Sequence, residues 1–86
     1  MTEPSPLPTP RFKQVVGASI QLARDTSKPY VGVEHLFLAM IRDRAAVPTQ
    51  VLARLVDLDA VESALLELMD SAAYNSRTTN VARRDL

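Results

Sequence analysis

Apolar side chains return every three or four residues in four stretches of the chain, separated by proline-containing or polar segments. The first stretch sets Phe12, Val15, Val16, Ser19, Ile20 and Ala23 on one stripe, the spacing of a helix with a single buried face, and turns Gly17 away from it. Thr9 before Pro10 supplies its start. The hydroxyl can accept a first-turn amide, and proline fits the first helical position because its missing N–H had no helical partner to lose. This helix is predicted to reach Thr26 or Ser27, with Pro29 barring its continuation. Gly32 marks a turn that needs either positive φ or a close approach of the chain.

A second helix is predicted from Val33 to Asp43, with Val33, Leu36, Phe37, Met40 and Ile41 inward. Leu38 and Ala39 widen its stripe so far that this becomes the central, most buried element, and Arg42, Asp43 and Arg44 end it in solvent. Pro48 opens a third helix of two or three turns bearing Val51, Leu52, Leu55 and Val56. Asp59 followed three positions later by Glu62 has the form of a capping box for a fourth helix, whose Val61, Leu65, Leu68 and Met69 face the core and which ends near Ser71. The prediction is all-α: four helices over residues 9–71, a proline-rich flexible leader over 1–8 and a flexible polar tail over 72–86. No internal duplication is visible.

Composition sharpens this picture. Hydrophobic residues make up 47% of the 86 and aromatics 5%, a balance rich in Ala, Val and Leu that suits packed helices. So short a chain holds one domain, near the lower limit at which a single core is sufficient, and help from a partner fits that size. Ten basic residues balance ten acidic ones. The neutral total argues against nucleic acid and against charge-driven membrane binding, although Arg77, Arg83 and Arg84 form a small basic patch. With no cysteine, disulfides, thiolate nucleophiles and sulfur-bound zinc are excluded. No apolar run approaches the roughly 18 residues of a membrane span, and no secretory leader is present, so a cytoplasmic protein is expected.

The candidate chemistry lies in Lys28 to Ile41, "KPYVGVEHLFLAMI". Glu34 and His35 are neighbours, and neighbours on a helix point about 100° apart, so they form no dyad without a third group. No glycine-flanked nucleophile and no phosphate-cradling loop is present, and a non-enzyme without cofactor or metal is expected. His35 reads as a core or boundary residue whose ring hydrogen-bonds a loop carbonyl and fixes the start of the second helix, with Tyr30 packed over the same corner. Glu34 admits two readings. A first-turn carboxylate is favoured by the helix dipole alone; it also offers two oxygens to a guanidinium or ammonium group.

The run Tyr30, Val31, Gly32, Val33, Glu34, His35, Leu36, Phe37, Leu38 resembles the corner of the Clp N-terminal repeat, found in AAA+ unfoldases of the ClpA and ClpC type, where the usual pattern is Tyr-Val/Ile-Gly-Thr-Glu-His-Leu-Leu-Leu. "TPR" at Thr9 to Arg11 resembles the start of a repeat, and Val51 to Leu68, "VLARLVDLDAVESALLEL", its closing helices. The resemblance spans Thr9 to Met69. Val33 stands where threonine is usual, the loop "RDRAAVP" departs from the family's Glu- and Gly-rich one, and the glycine before the fourth helix is absent.

The resemblance implies a substrate- and adaptor-binding domain, in full form two such repeats about a pseudo-two-fold axis. Here one repeat is expected, without an ATPase module. It further implies recognition of peptides or arginine-phosphorylated proteins, with Glu34 taking the guanidinium and the helix start at Thr9, Pro10, Arg11 and Phe12 taking the phosphate through the amides of Arg11 and Phe12. A first helix near 25 Å long at about 1.5 Å per residue, followed by a short Pro-Gly turn, would leave Thr9 and Glu34 at opposite ends. A composite pocket then needs two chains. The expectation is a homodimer acting as adaptor, decoy or regulator of a Clp protease. The alternatives are a protective protein that sequesters Clp-directed cyclic peptides, and a fragment without ligand.

Overall fold

Thr9 starts the first helix by the route its hydroxyl offers: in the computed structural model, which describes residues 5–71, the amide of Phe12 donates to Thr9 Oγ1 at 3.1 Å. The expectations for residues 1–4 and 72–86 lie outside the described residues. Pro10 occupies the first turn of α1 (Pro10–Asp25), which buries Val15, Ser19 and Ala23, four residues apart, and leaves Val16 and Leu22 half-buried. Ser19 sits in that seam without penalty because its Oγ donates to the Val16 carbonyl at 2.6 Å.

The end of α1 precedes the proline that was expected to stop it. Ser27 adopts φ 59°, its amide donates to the Arg24 carbonyl at 3.0 Å, and the Lys28 amide donates to the Ala23 carbonyl at 2.8 Å. This double closure is the Schellman arrangement, with serine at the left-handed position that glycine usually takes. The chain then returns as α2 (Val33–Arg42), one residue shorter than predicted, with Gly32 as its N-cap. Arg11 in the first turn of α1 bonds Asp43, which caps the end of α2, so the two helices run antiparallel.

Thr49 and Ala46, like Leu58 further on, are interior residues that periodicity missed. Thr49 Oγ1 donates to the Met40 carbonyl at 2.6 Å, a second bond on an oxygen in the last turn of α2 that also accepts the Asp43 amide at 3.1 Å, and the side chains of Thr49 and Ala46 are buried. They seat α3 (Val47–Ala53), with Pro48 in its first turn as predicted. The last helix, α4 (Leu58–Met69), starts two residues earlier than the Asp59 box implies, because Asp57 Oδ1 accepts the Asp59 amide at 3.0 Å and Leu58 is buried. Glu62 serves a different purpose. Its Oε2 accepts from Arg42 Nε and Nη2 at 3.1 and 2.8 Å.

The fold is all-α, four helices with no strand among the described residues, and α2 is the centre because α1, α3 and α4 all pack on it. The core is small: Val15, Ala23, Leu38, Ala39, Ile41, Ala46, Leu58 and Met69 around buried Ser19, His35 and Thr49. Burying a side chain such as Leu38 or Ile41 contributes about 1.5–3 kcal/mol. Phe12, Ile20, Val33, Phe37, Val51, Leu55, Val56 and Leu68, predicted inward, are exposed instead. Leu55 and Val56 fall in the turn after the seven residues of α3, whereas Ile20 and Phe37 lie within α1 and α2 on faces that no described element covers. Leu68 flanks the α4 seam, which runs through Leu58, Leu65 and Met69.

Candidate functional site

The predicted ligand residues fall into two groups on α1 and α2. At the corner, His35 is fully buried and its Nδ1 accepts the Gly32 amide at 3.0 Å, while the His35 amide returns to the Gly32 carbonyl at 3.1 Å. The ring therefore fixes the start of α2, but as an acceptor from a backbone amide rather than as a donor to a loop carbonyl. With Nδ1 accepting, the ring proton belongs on Nε2, which is buried without a hydrogen-bond partner. Gly32 itself has φ −110°, so positive φ is not its reason. Close approach is: a Cβ at Gly32 would meet the Glu34 carboxylate. Glu34 and Tyr30 are both half-buried there.

At the tip of α1, the structure changes the donor inventory. Pro10 has no N–H, the Phe12 amide is taken by Thr9 Oγ1, and the Lys13 amide by the Thr9 carbonyl. That leaves the Arg11 amide and the Thr9 hydroxyl to meet an anion from outside, where the amides of both Arg11 and Phe12 were expected. The Arg11 guanidinium is engaged too. Its Nη1 lies 2.6 Å from both oxygens of Asp43. That bond, helped by the Ala45 amide and the guanidinium charge, holds the Asp43 carboxyl below its ordinary 3.8 despite partial burial. Phe12 beside it is 57% exposed.

Glu34 stands nine residues before Asp43 along α2, about 13 Å at 1.5 Å per residue, and Arg11 is at the Asp43 end. The corner and the tip thus do not meet on one copy. Arg11 instead lines a trough of about 290 Å³ between α1 and α2 with Gln14, Ala18, Ala39, Arg42 and Asp43. Asp43 was missed as a site residue, since within "RDR" it read as the solvated end of a helix; only the antiparallel return brings it onto Arg11. No group of three His, Asp or Glu side chains among the described residues could hold a metal, and no described helix is long and apolar enough to cross a membrane.

Comparison with known proteins decides the family. Residues 7–84 match the family model of the Clp repeat (R) N-terminal domain. The chain belongs to this family. The Clp_N match runs beyond Met69 into the polar stretch read as a tail. Among curated proteins, the chain is 38% identical over 71 residues to the ATP-dependent Clp protease ATP-binding subunit ClpA homolog of Guillardia theta, covering 81% of this chain and 9% of that protein. It is 39% identical over 64 residues to the negative regulator of genetic competence ClpC/MecB of Bacillus subtilis, covering 73% and 8%. It is 41% identical over 64 residues to the chaperone protein ClpB of Oceanobacillus iheyensis, again 73% and 8%. The Clp_N chain therefore spans under a tenth of the length of these relatives. No solved structure gives a significant match.

Proposed function

We propose that this Clp_N chain is a non-catalytic binding module that captures peptides or arginine-phosphorylated proteins in the cytoplasm and acts as an adaptor, decoy or regulator of Clp proteolysis. The observation that carries the reading is the antiparallel clip of Arg11 to Asp43, which leaves Glu34 about 13 Å from the α1 tip. A ligand that presents a guanidinium to Glu34 and a phosphate to the tip therefore needs the two elements from different repeats, and in a homodimer each copy supplies one to each of two equivalent pockets. The exposed apolar side chains of α1, α2 and α3 support a covering partner. At the tip, the phosphate meets the Arg11 amide and competes with Asp43 for the Arg11 guanidinium.

Sedimentation equilibrium together with calorimetric titration of phosphoarginine tests this. A dimer is expected, with affinity falling at least about tenfold in Glu34→Ala through loss of a charge-assisted pair. A stable monomer at high micromolar concentration removes the composite pocket. A second reading, sequestration of Clp-directed cyclic peptides, is favoured by the exposed Phe12 ring beside the tip; binding of such a peptide that survives Glu34→Ala but not Phe12→Ala would select it.

A further inference from the structure

Gly32 has φ −110° and ψ 175°, extended backbone that any residue adopts. The turn itself does not demand glycine. The space beside its Cα does: a Cβ there would lie 2.7 Å from Glu34 Oε1 and Cδ, with Oε2 nearer still, which is closer than side chains pack. At Gly17 the same atom would meet nothing within 4 Å. The Glu34 carboxylate is thus folded back across the bare face of Gly32. Gly32 in turn is anchored from the core. Its amide donates to Nδ1 of the fully buried His35 at 3.0 Å, and its carbonyl accepts from the amides of His35 and Leu36 at 3.1 and 3.3 Å.

We propose that Gly32 is a positioning residue: anchored through His35, it seats the Glu34 carboxylate in the orientation from which Glu34 receives the cationic group of a ligand. This rests on the reading of Glu34 given under the proposed function. A methyl group at Gly32 pushes the carboxylate off its seat. The group that gives way is the end of a flexible side chain, not backbone, so the loss falls on binding and the fold keeps its stability apart from the small cost of alanine at an N-cap.

Phosphoarginine titrated into the full chain tests this in wild type, Gly32→Ala, Glu34→Ala and the double variant, with Tm measured alongside. Both single variants are expected to weaken binding at least about tenfold, and the double variant no further than Glu34→Ala, because two residues that act through one contact are not additive. The Tm of Gly32→Ala should fall by no more than about 5 °C. In the free protein, Glu34 Hγ should show a nuclear Overhauser contact to Gly32 Hα, and Gly32→Ala should move the Glu34 Cδ resonance. Wild-type affinity in Gly32→Ala overturns the proposal, as does an equal weakening by Gly32→Ala in the Glu34→Ala background, or an unmoved Cδ resonance. A wild type that ignores phosphoarginine overturns the reading of Glu34 and the proposal with it, whereas those other results in a wild type that binds strike the proposal alone.

Discussion

At the scale of single residues, His35 shows how one side chain fixes the start of a helix from inside the core. Its Nδ1 satisfies the Gly32 amide, the service that Glu or Gln performs at the third position of a capping box. Replacing His35 with Leu keeps the apolar volume and strips the acceptor, so a loss of about 1–3 kcal/mol is expected in denaturant unfolding. His35→Gln should lose less, because its amide oxygen can still reach Gly32. Equal losses in the two would show that the ring acts by volume alone. Ser27 is the opposite case, a side chain in left-handed backbone. Ser27→Gly relieves about 1 kcal/mol and should raise Tm by several degrees in a thermal scan. The Thr9 cap was legible because a hydroxyl before proline has one obvious use. The acceptor role of His35 was not, since it depends on the ring turning back onto its own helix start rather than out to a loop.

At the scale of elements, the helices were legible wherever a breaker and a stripe agreed. Pro10 and Pro48 sit in first turns, and the ends of α1 and α2 fall within a residue or two of where spacing put them. The start of α4 was not, because Asp57 and Asp59 are both plausible caps; burial of Leu58 chooses Asp57, and sequence alone does not show that burial. The clip between α1 and α2 has a pH signature. Since the Arg11 bond lowers the Asp43 pKa below 3.8, its stabilisation is fully present above that value and is lost as pH falls through the lowered one. Unfolding of wild type and Asp43→Asn should therefore differ by a constant margin above about pH 5, and the margin should close in more acid solution. A gap that persists unchanged in strong acid would assign the difference to packing and not to the ion pair.

At the scale of the whole molecule, the stripes told which face of each helix is apolar, not whether anything in the chain reaches it. Val33 at 80% and Leu55 at 76% exposure are the plainest cases. This is why the fold class was readable while the extent of the core was overestimated, and why the two halves of the candidate site could be named but not their neighbours. If a second copy covers such side chains, association and folding are linked, and Tm should rise with protein concentration in a dilution series. A Tm that does not move over a hundredfold dilution would contradict the dimer. The distribution of charge has a further consequence. The pairs Arg11–Asp43, Arg42–Glu62 and Arg44–Asp59 all gather where α2 ends, whereas the Gly32–His35 bonds at its start are between uncharged groups. Salt screens the first kind and spares the second. The molecule thus has two poles of different temper: concentrated electrolyte loosens the ion pairs where α1 begins and leaves the Gly32–His35 bonds at the start of α2 in place.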